Sequence, residues 1–171
     1  RSARDVQIVA TDADGRALAA ARRGDYPEGI ALDVVPGRLE RFFTWLESRY
    51  TIARALRDRI TFAVHDLLAD PLFSNLDLVS CRYVLTHLDA ETQDRLISMF
   101  HASLNPGGHL FLGRTERPRR LEGLFAPVAA SQHIYRRVNP AARSWLDFRE
   151  AHPAVAEVPP SAAASRASAA E

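Results

Sequence analysis

Cysteine is nearly absent from this chain. One thiol, Cys81, in 171 residues cannot close an internal disulfide, which excludes a disulfide-stapled secreted scaffold and fits a reducing compartment. Net charge is equally scarce: 22 Lys and Arg stand against 21 Asp and Glu, so no strong field is available to hold a nucleic-acid backbone or an anionic bilayer. No apolar run approaches the roughly 18 residues of a membrane span, and no charged stretch leads into a short apolar segment at the start, as in a signal peptide. Together these absences point to a cytoplasmic protein, with no nucleic acid and no membrane insertion, whose partner is a protein or a small molecule.

What is present is ordinary for a soluble domain. Hydrophobic residues make up 47% and charged residues 25%, and the length suits one domain with a real core. Residues 6–11 (VQIVAT) form a β-branched apolar run that reads as a buried strand. The alanine-rich stretch after it has a helical pattern that Gly24 can end. The spacing predicts a second helix over residues 36–46, with Leu39, Phe42, Phe43 and Leu46 on one face and Phe42, Phe43 and Trp45 in the core. Further strands are expected at 60–68, 76–81, 109–113 and 133–138. A helix begins after Asp89 as N-cap, with Leu96, Ile97, Phe100 and Leu104 as its apolar stripe. A turn at NPGG (105–108), a short helical turn at 121–125 and a solvated loop at RPRR (117–120) complete the reading. From about residue 153 onward almost nothing large and apolar remains, which predicts a disordered tail or linker.

Strands alternating with helices imply an α/β domain with a mostly parallel sheet, and in such sheets ligands bind beyond the carboxyl ends of the strands. Three strand ends carry chemistry. The first holds Asp12 and Asp14: a carboxylate there can accept from both hydroxyls of a ribose, while the plainer reading is a cap for the following helix, and the residues alone split the two evenly. The second holds Asp66 and Leu67, where an oxygen can accept from an exocyclic amine and the leucine can pack on a ring, against the plainer reading of a solvated turn. The third holds Cys81 and Arg82; the arginine can grip a carboxylate through two parallel hydrogen bonds, against the alternative of a surface arginine beside an inert buried thiol.

In order, ATDADGRALAAARRGDYP, RLERFF, HDLLADPLFSNLDLVSCRYVLTHLDAETQ, FHASLNPGGHLFLGRTE and HIYRR resemble the catalytic domain of the CheR-type chemotaxis receptor methyltransferases, over about residues 6–137. The resemblance implies a Rossmann-like class I methyltransferase sheet over residues 1–140 with a tail at 141–171. It also implies S-adenosyl-L-methionine as cofactor, and transfer of its methyl group to glutamates on receptor signalling helices. Asp12 matches the acidic residue on the ribose hydroxyls, Asp66 and Leu67 the asparagine-leucine pair at the adenine, and Cys81 and Arg82 the start of a C-R-N motif beside the transferred methyl. His87 stands where the family has a tyrosine near the reaction centre, and Tyr83 replaces the asparagine of C-R-N. Gly113-Arg114-Thr115-Glu116 stands for G-x-S-E, and residues 47–59 match a small antiparallel element that can dock receptors.

The family's first strand and glycine-rich turn are absent, so the sheet is expected to be incomplete between the strands holding Ile8 and Val79, and the chain to be part of a longer protein. Tyr83, His87 and the missing turn also support a rival, a non-catalytic docking domain of the same fold within a larger signalling protein. A metal-dependent hydrolase would need His65, Asp66, His87 and His101 to converge, and their spacing matches no ligand motif; no metal site is expected.

Overall fold

Residues 6–138 and the backbone of Ala156–Glu157 are described in this computed structural model. They fall into two compact units, the first ending at Asp70 and the second starting at Pro71.

The first unit opens with β1 (Ile8–Asp12). Its β-branched residues extend, and Asp14 then starts α1 (Gly15–Arg23) by accepting from the Arg16 N–H at 2.7 Å. Gly24 ends that helix at φ 68°, where Ile52 Cγ2 and Arg57 Cδ would lie 2.7 and 2.9 Å from any added Cβ, so only glycine fits. β2 (Asp25–Pro27) follows, then α2 (Pro36–Phe42), β3 (Phe43–Leu46), β4 (Arg49–Ile52), the single turn α3 (Arg54–Arg57) and β5 (Ile60–Val64). β1 and β5 pair in parallel, with Asp12 beside Val64. Arg22 fixes α1 to this pair by donating to the Phe62 carbonyl at 2.7 Å.

β2, β4 and β3 form a separate antiparallel sheet in that order. The helix expected over 36–46 therefore stops at Phe42, and Phe43 to Leu46 become a strand. The cause is tertiary: Phe43 stacks edge-on against Tyr26 at 5.8 Å and Tyr50 at 6.4 Å, contacts that only the sheet brings together. Trp45, expected in the core, is 48% exposed and leans on Tyr50, while Phe42 and Phe43 are half-buried. Of the antiparallel element expected at 47–59, only β4 belongs to the sheet, and β2 and β3 come from earlier residues.

The second unit contains β6 (Phe73–Ser74), β7 (Leu76–Cys81), α4 (Ala90–Ser103), β8 (Leu104–Leu112), β9 (Phe125–Ala129) and β10 (Ile134–Arg137). The short pair β6 and β11 (Ala156–Glu157) is parallel. The larger sheet has the order β7-β8-β10-β9, parallel between β7 and β8 and antiparallel beyond. Asp89 caps α4 as expected, accepting from the Thr92 N–H and hydroxyl, both at 2.9 Å. Leu96, Ile97, Phe100, Leu104, Leu110, Leu112 and Phe125 are at most 5% exposed and form the core, although Leu104 belongs to β8 and not to the helix. NPGG lies inside β8 as an irregularity in its register with β7, with Gly107 at φ 77°. The helical turn expected at 121–125 forms earlier, at Arg119–Leu121, and Phe125 begins β9.

The α/β class is as expected, and the parallel pairing is partial: among the described residues β1 pairs with β5 alone, and β7 pairs with β8 alone. The tail expected from residue 141 lies outside the described residues, apart from β11.

Candidate functional site

In the first unit, the parallel pairing of β1 and β5 sets Asp12 as the last residue of β1 and Asp66 two residues past the end of β5, linked by the His65 N–H donating to the Asp12 carbonyl at 3.0 Å. The cap of α1 is Asp14, so Asp12 is not spent on the helix. Its Oδ1 accepts from the Asp14 N–H at 2.8 Å, which closes the turn and leaves the exposed carboxylate at the strand end.

Asp66 builds its own turn likewise. Oδ1 accepts from the Leu68 N–H at 2.8 Å, and the Asp66 N–H donates to Asp70 Oδ2 at 2.8 Å. Leu67 is half-buried beside it. The plain reading of Asp66 as a turn-former is thus correct for one of its oxygens. Two exposed carboxylates at neighbouring strand ends can accept hydrogen bonds from hydroxyl or amine donors, and Leu67 offers an apolar surface beside Asp66.

In the second unit, Cys81 ends β7 and is buried. Burial, then the negative charge of Glu116, pushes its thiol up to about 12, so it stays protonated and inert at neutral pH. Arg82 is exposed, and its guanidinium carbon lies 4.9 Å from the Phe111 ring and 5.5 Å from the Tyr83 ring. Tyr83 adopts φ 63°, the left-handed region that asparagine tolerates better than a bulky side chain. His87 closes a short helical turn, Leu85–His87, with its ring exposed and its N–H donating to the Val84 carbonyl at 3.1 Å. Arg82 and His87 therefore share the connection from β7 to α4, and Asp12, Asp66 and Leu67 belong to the other unit.

Glu116 is legible in the sequence only as part of a motif. It is 2% exposed, and its carboxylate accepts from the Leu85 N–H at 2.8 Å and the Gly113 N–H at 2.5 Å. Gly113 must be glycine, since an added Cβ would stand 2.6 Å from Glu116 Oε2 and 3.0 Å from the Tyr83 nitrogen. On the other side, Gln93 Nε2 donates to the Leu85 and Leu88 carbonyls at 2.9 and 3.0 Å. His101, one of the four residues a hydrolase would need, is buried with Nε2 2.7 Å from the Val138 carbonyl.

Residues 1–134 match the family profile described as CheR methyltransferase, SAM binding domain. Chemotaxis protein methyltransferase 1 of Pseudomonas aeruginosa is 36% identical over 132 residues, covering 75% of this chain and 48% of its own length. Chemotaxis protein methyltransferase Cher2 of Pseudomonas putida is 34% identical over 131 residues, covering 75% and 48%. An uncharacterized 104.1 kDa protein of Rhodobacter capsulatus is 37% identical over 144 residues, 84% of this chain but 15% of that protein. The chain belongs to the CheR methyltransferase family, through its SAM-binding domain, and S-adenosyl-L-methionine is its cofactor. It spans about half the length of the two chemotaxis methyltransferases.

Proposed function

We propose that the protein containing this chain is a cytoplasmic protein-glutamate O-methyltransferase that acts on the signalling helices of chemotaxis-type receptors. The observation that carries this reading is the exposed carboxylate of Asp12 at the end of β1, with one oxygen used in its own turn, Asp66 just past the paired β5, and helix capping delegated to Asp14. In this reading Asp12 accepts from the ribose hydroxyls, Asp66 accepts from the adenine amine, and Leu67 covers the ring. Cys81 lines the cofactor edge as a neutral thiol, and Arg82 and His87 stand toward the reacting groups.

When bound, S-adenosyl-L-methionine supplies a methyl group on a sulfonium, a good leaving group. A glutamate carboxylate is already ionised at neutral pH, so the residues need only align it and shield it from competing contacts. Arg82 suits that purpose, because its fork orients a carboxylate by two hydrogen bonds, and the rings of Phe111 and Tyr83 limit where the fork can point. His87 contributes a ring nitrogen that can hydrogen-bond the same carboxylate. The test is transfer of labelled methyl from S-adenosyl-L-methionine to glutamate-bearing receptor peptides by the full-length protein. Label released as methanol by mild alkali, as from a methyl ester, is the expected result. Absence of label, or label stable to alkali, contradicts the reading.

A second reading is a non-catalytic docking domain of a larger signalling protein. It is favoured by the bulky Tyr83 at φ 63° beside Arg82, and by a 104.1 kDa relative of which this chain covers only 15%. Tight receptor binding without methyl transfer distinguishes it.

A further inference from the structure

The loop that carries Arg82 leaves β7 through a left-handed residue, Tyr83, and is secured at Leu85. Its anchor is not local. Glu116 reaches from the turn after β8 and joins two N–H groups from different segments, those of Leu85 and Gly113. Tyr83 and Gly113 are themselves in close approach, since the Tyr83 nitrogen would be 3.0 Å from an added Gly113 Cβ. The carboxylate therefore ties the end of β8 to the loop immediately after Arg82. Phe111, one of the two rings against the guanidinium, lies two residues before Gly113 on that same strand.

We propose that Glu116 is a positioning residue: by joining the Leu85 and Gly113 amides it fixes the Tyr83 turn, and with it holds the guanidinium of Arg82 between Phe111 and Tyr83, set to receive a carboxylate. The role given to Arg82 rests on the methyl-transfer reading; the positioning itself does not. A carboxylate is the fitting group because it accepts from two donors at once and, being charged, makes the stronger bonds. Glutamine has one acceptor oxygen and would turn an NH2 toward the other amide.

The test is nuclear magnetic resonance of the labelled protein with Glu116→Gln. In the wild type the Arg82 side-chain protons are displaced by the ring currents of Phe111 and Tyr83. In the variant they move toward the positions of a free arginine, and exchange of the Leu85 and Gly113 amides quickens about tenfold or more, the loss of roughly one hydrogen bond. The amides of α4 keep their protection, which separates positioning from general destabilisation. Unchanged Arg82 resonances in a folded variant overturn the proposal. Should Glu116→Gln fail to fold, Glu116→Asp keeps the charge but draws it back by one methylene from the Leu85 and Gly113 amides and must move the same Arg82 signals. In the full-length protein, Glu116→Gln is expected to lower kcat for methyl transfer about tenfold with the Kd for S-adenosyl-L-methionine unchanged. A wild-type protein that transfers no methyl at all overturns the methyl-transfer reading, while the resonances still decide the role of Glu116.

Discussion

The turns that follow β1 and β5 are held by their own side chains, whereas the connection that leaves β7 is held by a carboxylate 31 residues away. Asp12 and Asp66 each bond an N–H two residues on, so these turns carry their instructions within a few positions. The Arg82 loop depends on Glu116 from one side and Gln93 from the other. Its geometry exists only once β7, α4 and β8 have assembled. The turns of the first unit are thus locally encoded, and the loop of the second unit is set by tertiary contacts through the buried Glu116.

The largest expected effect falls on the tertiary side. Glu116→Ala leaves two N–H groups without an acceptor, at about 1–3 kcal/mol for each buried one. Urea denaturation of the protein should show a loss of about 2–5 kcal/mol, more than any variant of the exposed Asp66 turn is expected to lose. A loss below about 1 kcal/mol would mean that the two regions are not so different.

A gain is expected in the small antiparallel sheet, where a local instruction is missing. Glu47 and Ser48 join β3 to β4 with φ of 49° and 61°, the two left-handed positions of a tight hairpin turn. Asparagine and glycine fill such positions without strain. The double substitution Glu47→Asn with Ser48→Gly should raise stability by about 1–2 kcal/mol in the same denaturation assay.

Acid should act on the second unit in two windows. Burial, assisted by the charge of Arg137 and opposed by the Val138 hydrogen bond, holds His101 below its ordinary 6.5. The unfolded ring then binds the proton more tightly than the folded one. Stability from this residue is complete above pH 6.5 and falls as the pH drops toward the folded value. The Thr92 N–H and hydroxyl likewise hold Asp89 below its ordinary 3.8, so its contribution disappears only below that pH. Thermal midpoints measured from about pH 7 down to about pH 5, compared with those of His101→Gln, should show a decline that the variant lacks.

The same contrast explains what the sequence makes legible. β7 and α4 can be read in advance because a short apolar run and an Asp cap act within a few residues. Asp12 stands out as a candidate, yet only the hydrogen bond from Arg16 to Asp14 resolves which aspartate caps α1. The β3–β4 hairpin is hidden because Glu47–Ser48 carries no turn signal and Phe43 continues a helical spacing. Trp45 falls on that false helical face, which is why the pattern puts it in the core. β9 escapes notice because Pro127 interrupts a short FAPVA segment, a residue that cannot donate to a ladder. Glu116 has no local signal beyond its motif, since its partner Leu85 lies in another segment.

The most direct test of the proposed site is titration calorimetry of S-adenosyl-L-methionine into the full-length protein, comparing Asp12→Ala with Asp14→Ala. Asp12→Ala is expected to weaken binding about tenfold or more with little change in stability, while Asp14→Ala keeps the affinity and loses about 1 kcal/mol of stability with its helix cap. Equal affinity for the wild type and Asp12→Ala would contradict the assignment.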